Sequence, residues 1–266
     1  MTMATIAAFI TAVLFNAVSC GAADDGRPVP PVTNNGVSSF NWCGKRKWIA
    51  LTFDDLLRRG PVADILSDLK ANNMTASFFV YPADDTEENF CAQIKNIHAA
   101  GHSINHHSYS HESFLELPAE ERAQEILKTE EFVYKTCGMP AGLMKYFRPP
   151  NGDLNRTTAF EVNRFGYTVL SWTTDPQDWN EPNNTLATVW ANSIRAFNAL
   201  PEGNSAVILH HTWAYDARRT KGLIAKYKEY FTPLGYEFVS VDQCFQACLA
   251  DGDCKLATSL PGVYDE

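Results

Sequence analysis

The chain has 266 residues, 45% hydrophobic and 20% charged, an ordinary globular balance that supports a buried core and argues against disorder. Its formal net charge of −9 argues against nucleic acid and anionic membrane as stable partners and suits a neutral polymer. At this length one large domain or two small ones can be stabilised.

Residues 1–23 (MTMATIAAFITAVLFNAVSCGAA) are apolar, rich in small residues and free of charge. The run is too short and Ala-rich for a membrane span and reads as a cleaved secretory signal, which predicts a secreted protein. Residues 24–42 read as a loose N-terminal arm, Pro-, Gly- and Asn-rich up to position 40; residues 43–254 form the expected domain and 255–266 a polar tail. An apolar strand, WIALTF (48–53), precedes a helical pattern over 62–73 and a second strand, TASFFVY (75–81). A helix with Ile94, Ile97 and His98 on one side ends at Gly101, and another is predicted over 118–136, with Pro118 in its first turn and Ile126, Leu127, Phe132 and Val133 at helical spacing. Strand-like KYFRPP, YTVLSWT, SAVILHH and YEFVSV follow, separated by helical stretches near 157–165, 185–199 and 217–231. Strand–helix alternation with continuous apolar strands predicts a parallel sheet covered by helices. With no glycine-rich nucleotide fingerprint, the α/β expectation is a closed or distorted (β/α) barrel in a single domain, with reactive groups at the C-terminal ends of the strands.

Of seven cysteines, six remain once Cys20 leaves with the signal, an even set that fits disulfides in an oxidising compartment. A barrel brings its first and last elements together, which suggests Cys43 with Cys244; Cys248 with Cys254 and Cys91 with Cys137 complete the set, although sequence leaves the connectivity open. Asn73, Asn155 and Asn183 each begin an Asn-x-Thr glycosylation acceptor.

Five clusters carry the chemistry. Asp54 and Asp55 follow the first strand, and adjacent carboxylates at a strand end need a cation or donor to be buried; alone they fit a solvated turn or a helix N-cap better. His107 and His111, four apart in NHHSYSH, are expected on one face of a helical turn, ready to share a metal with a carboxylate. Arg148 in FRPPNG can clamp a carboxylate such as Asp54 through two N–H groups. In DPQDW, Asp178 precedes Trp179, an indole suited to stacking on a sugar or to packing. ILHHT ends a strand in imidazoles, where a carboxylate partner would favour a general acid.

In their order these clusters resemble the five motifs of the polysaccharide deacetylase family (NodB-homology domain, carbohydrate esterase family 4), here TFDD, HSYSH, RPPNG, DPQDW and LHH, within a likeness running from Lys47 to Phe245. The resemblance implies a distorted (β/α) barrel and hydrolysis of acetyl groups from a polysaccharide, N-acetylglucosamine units of chitin above all. It implies Asp54 as catalytic base, and Asp55, His107 and His111 as ligands of Zn2+, with Co2+ as an alternative. It further implies Arg148 orienting Asp54, His211 as general acid and Asp178 as its partner. Tyr109, Asn151, Trp179 and Leu209 are expected along the substrate, and a monomer is the expected state.

Three departures from the family pattern stand out. Leu56–Leu57–Arg58–Arg59 intervene before the Gly60–Pro61 that usually follows the aspartates, Asn151 replaces an aromatic, and His106 stands where Asn is frequent. His106 therefore competes with His107, and His210 with His211; the His-x-x-x-His and Leu-x-His spacings favour His107 and His211. An acetylxylan esterase, a peptidoglycan deacetylase and an inactive chitin-binding relative are the alternatives. A glycosidase is disfavoured, because adjacent carboxylates cannot flank a glycosidic bond.

Overall fold

A computed structural model describes residues 30–31, 33, 36–56, 62–180, 184–216, 220–254 and 263–264. The proposed signal, about half of the arm, residues 57–61 of the altered loop, Asn183 and nearly all of the tail lie outside the described residues.

The strands, in chain order, are β1 (Ser39–Phe40), β2 (Trp48–Asp54), β3 (Ala76–Val80), β4 (Ser103–His106), β5 (Tyr146–Phe147), β6 (Leu154–Asn155), β7 (Thr168–Leu170), β8 (Ala206–His211), β9 (Glu237–Phe238) and β10 (Val263–Tyr264). All pair in parallel, in the order β1-β7-β5-β4-β3-β2-β8, with β9 also on β2 and β6–β10 as a separate pair. The outer strands β1 and β8 do not pair with each other. Instead the segment after β7 turns back onto β8: Thr173 and Thr174 donate backbone N–H bonds to the Val207 carbonyl, and Leu209 N–H donates to Thr174 O. An irregular segment thus stands in for a regular ladder, which is the distortion of this barrel.

The helices are α1 (Val62–Asn72), α2 (Glu87–Ala99), α3 (Ala119–Glu130), α4 (Arg156–Arg164), α5 (Leu186–Asn198), α6 (Leu223–Phe231) and α7 (Val241–Ala250). Alternation along the strands separates two cores. Ile49, Leu51 and Phe53 of β2 and Ala206 and Ile208 of β8 meet the helices, whereas Ala50, Val207 and Leu209 point into the barrel with Phe40, Phe79, Tyr146, Leu170 and Trp172.

Several expectations are corrected. The arm is not loose to its end, since Ser39 and Phe40 pair with β7 and Phe40 is fully buried against Tyr146 and Phe245. In α2, Phe90, Cys91, Ile94 and Ile97 are buried but His98 is exposed. Pro118 caps α3 rather than entering its first turn, Leu127 is exposed, and the helix continues as a π-helical stretch over Glu131–Thr136. The run YEFVSV yields only the two-residue β9, because Ser240 and Gln243 form a capping box that starts α7. That helix brings Cys244 to Cys43, and Cys91–Cys137 and Cys248–Cys254 complete the three disulfides expected.

Candidate active site

The C-terminal ends of β2, β4, β5 and β8, with the segment after β7, converge on a cleft of about 430 Å³ lined by Asp54, Asp55, His107, His111, Asn151, Trp179, Leu209 and His211, among others. Asp54 is the last residue of β2 and shares the inward parity of Ala50 and Thr52. Arg148, with no exposed surface, donates from Nη1 to Asp54 Oδ1 at 2.6 Å and to Thr52 Oγ1 at 2.8 Å. Its Nε and Nη2 donate to the Leu170 and Ser171 carbonyls at 3.3 Å, so the expected two-pronged clamp is a single contact. The remaining guanidinium donors satisfy backbone acceptors where β7 ends, and the Phe79 ring lies 4.2 Å from Cζ. Burial pushes the Asp54 carboxyl above the ordinary value, while Arg148 pulls it back and keeps its charge compensated.

Asp55 turns away from Asp54 because its own φ is +60°. Trp213 Nε1 donates to Oδ2 at 2.9 Å, and the Thr212 hydroxyl donates to the Asp55 carbonyl oxygen. The other oxygen, Oδ1, is buried without a hydrogen-bond partner, 3.5 Å from Nε2 of both His107 and His111.

The two histidines do not share a helical turn, contrary to the sequence expectation. His107 follows β4, and a tight loop with Ser108 at φ +68° and His111 at φ +64° folds the second ring back to 4.9 Å from the first. Helix α3 holds that loop: the Glu125 carboxylate accepts N–H bonds from Tyr109 and Ser110 at 2.8 and 2.7 Å, and the Thr129 hydroxyl donates to Ser108 O at 2.8 Å. His107 Nδ1 donates to the Arg148 carbonyl at 2.7 Å, which leaves Nε2 as a bare lone pair. Burial, with the charge of His111 adding, pulls the His107 imidazole down to about 3 and keeps it neutral.

His211, inward-facing like Leu209, donates from Nδ1 to Asp178 Oδ1 at 2.7 Å, while its backbone N–H donates to Oδ2 at 2.8 Å. Burial works against its charged form, yet the charge and hydrogen bond of Asp178 prevail and the imidazole rises to about 9. The competing residues lie elsewhere. His106 bonds Ile126 O and the Ser108 N–H on the helix side, and His210 meets the Tyr227 hydroxyl behind β8.

Of the expected substrate contacts, Asn151, Trp179 and Leu209 line the cleft, with Trp179 47% exposed at its rim. Tyr109 does not line it; its ring faces Lys128 of α3 at 5.7 Å, because the loop around Ser108 turns it outward. Sequence reasoning missed the roles of Thr212, which closes the ILHHT cluster, of Trp213 directly after it, and of Glu125, which belongs to no recognisable spacing. It also missed the cleft positions of Asp175, which opens the DPQDW cluster, and of Trp172, three residues before it.

A model of polysaccharide deacetylases matches residues 42–170. The peptidoglycan-N-acetylmuramic acid deacetylase PdaA of Bacillus subtilis (strain 168) is 31% identical over 202 residues, 74% of this chain and 71% of that protein. The chain belongs to the polysaccharide deacetylase family. A further family relative, the peptidoglycan-N-acetylglucosamine deacetylase PgdA of Listeria monocytogenes, is 28% identical over 199 residues, 75% of this chain but only 39% of that protein's length. The fold is shared with the chitin deacetylase of Colletotrichum lindemuthianum, at a TM-score of 0.66 and 24% identity over 78% of this chain and 91% of that one.

Deacetylases of this family are metal-dependent, and the side chains here fit a cation. Asp55, His107 and His111 present one carboxylate and two imidazoles whose ligand atoms lie within 4.8 Å of one another. The orphaned Oδ1 of Asp55 and the bare Nε2 of His107 are the donors such an ion completes. An open set of two imidazoles and one carboxylate suits zinc or cobalt better than oxygen-seeking magnesium or calcium.

Proposed function

We propose that this protein is a secreted, zinc-dependent deacetylase that hydrolyses the N-acetyl groups of N-acetylglucosamine units in chitin or chitin oligomers. The observation that carries the reading is the meeting in one cleft of a three-donor cation site, a buried carboxylate held by arginine, and an imidazole held charged by a second carboxylate.

A cation held by Asp55, His107 and His111 would supply Lewis acidity toward the acetyl carbonyl and a water of lowered pKa. Asp54 is placed to accept the proton of an attacking water, and Arg148 compensates the charge of the carboxylate and aims it. The tetrahedral oxyanion that results is met by a backbone N–H near Asn151, where the chain turns at φ +58°. His211 donates its proton to the departing amide nitrogen, which leaves as the sugar amine while acetate is released. Asp178 maintains His211 in the donating form. Trp179 offers its exposed indole face to the sugar ring.

Chitin as the polymer rests on three disulfides and the Asn-x-Thr acceptors, which suit an exported protein, and on a net charge of −9 that tolerates a product becoming cationic. No helix among the described residues is long and apolar enough to cross a membrane. The names of PdaA and PgdA favour peptidoglycan as the second reading. Acetate release from chitin oligomers and from peptidoglycan, by metal-stripped protein resupplied with zinc and beside Asp54→Asn, separates the two. Zinc-restored release from chitin, absent in the variant, is expected; release from peptidoglycan alone would replace chitin, and no metal binding would overturn the site.

A further inference from the structure

Asp55 stands in the left-handed region, a setting that a residue other than glycine keeps only when its surroundings impose it. Two consecutive residues on the 3₁₀ turn Thr212–Ala214, directly behind His211, do so. Thr212 holds the Asp55 carbonyl, and Trp213 donates its indole N–H to Oδ2 at 2.9 Å. The carboxylate is thereby divided: Oδ2 is engaged, while Oδ1 is buried, lacks a hydrogen-bond partner and faces both imidazole Nε2 atoms at 3.5 Å.

We infer that Trp213 is a positioning residue that makes Asp55 a one-oxygen ligand and so sets which cations the site prefers. The inference rests on the metal reading above. A free carboxylate can offer a cation one oxygen or two. Zinc is content with four donors, whereas manganese and calcium gain from every additional oxygen. With Oδ2 committed to an indole N–H, the pocket offers a single carboxylate oxygen and favours the first kind of ion. Trp213→Phe keeps one aromatic ring beside His211 while removing the N–H donor, which releases Oδ2.

The test titrates metal-stripped wild type and Trp213→Phe with Zn2+ and with Mn2+ against a chromophoric chelator, and records the visible spectrum of each protein loaded with Co2+. In the variant, zinc affinity is expected to fall about 10–100-fold, the range for losing a partner of a metal ligand. Manganese affinity should hold or rise, narrowing the zinc preference, and the cobalt bands should weaken as a further oxygen joins the ion. A parallel loss of both affinities with an unchanged cobalt spectrum means a general packing role and overturns the inference, as does an unchanged zinc affinity. Wild type that binds neither ion overturns the metal reading along with it. An independent measurement needs no folded variant: exchange of the Trp213 indole proton in wild type, followed by NMR, should stay slow when zinc is added. Acceleration would mean that Oδ2 has turned to the ion, and the inference would fall.

Discussion

Arg148 and Asp54 form an ion pair with side-chain exposures of only 0% and 4%, in which each member is tolerable because of the other. Removing one partner leaves the second charge buried and uncompensated, so Arg148→Ala is expected to lower stability by about 3–5 kcal/mol, read by chemical denaturation. Arg148→Lys keeps the charge but cannot reach Thr52 Oγ1, Asp54 and the two carbonyls together, and should recover only part of that loss. His211 works the other way, since its partner raises it from the model-compound value of 6.5 to about 9. A group raised on folding contributes stability that is complete below its unfolded value and is lost as pH climbs through the folded one. For the His211–Asp178 pair this window runs from about pH 6.5 to about pH 9. The same titration removes the proton donor, so turnover should decline as pH rises through about 9. Asp178→Asn removes the charge that holds the imidazolium and should move this alkaline limb to lower pH, measured as a pH profile of kcat. An unmoved limb would take the donor role away from His211.

Among the elements, α3 does more than cover the sheet. Glu125, buried on its inner side, replaces the hydrogen bonds that the Tyr109 and Ser110 N–H groups would have in a helix, and this allows the His107–His111 loop to stay non-helical. Glu125→Ala leaves two half-buried N–H groups without their acceptor and is expected to cost about 2 kcal/mol, with zinc affinity falling about tenfold or more in a chelator competition. Strands explain the paired histidines better than motif spacing does. Period-two alternation places His211 with Leu209 and Val207 inside the barrel and His210 with Ile208 against the helices, and it puts His106 on the Ile104 side of β4. That pattern was legible in the sequence for both pairs. The loop geometry after His107 was not, because a His-x-x-x-His spacing fits one turn of helix as well as a loop with two left-handed residues.

For the molecule as a whole, the barrel has no β1–β8 ladder and relies on other closures. One is the backbone crossing at Thr173 and Thr174; another is Cys43–Cys244, which ties the entrance to β2 to α7 across 201 residues of sequence. Longer closed loops lose more unfolded-state entropy when cross-linked, so replacing both cysteines by alanine should cost about 3 kcal/mol, roughly 6–12 °C in Tm by calorimetry. Catalysis in the surviving folded fraction should be little changed, since the bridge lies at the opposite end of β2 from Asp54 and Asp55.

Local chemistry on its own determined the parallel strand–helix order, the placement of carboxylates and imidazoles at strand ends, and the five ordered clusters, because each is written in contiguous residues with a fixed period. Barrel closure suggested Cys43 with Cys244, but the connectivity of the six cysteines was decided by the fold. Only the tertiary structure decided that Arg148 gives Asp54 one hydrogen bond rather than two, that Tyr109 turns away from the cleft, and that Trp213, Thr212 and Glu125 hold the cation site. These depend on which backbone acceptors and left-handed turns lie nearby after folding, and such neighbours are set by contacts 15 to 158 residues apart in sequence. No local pattern carries that information.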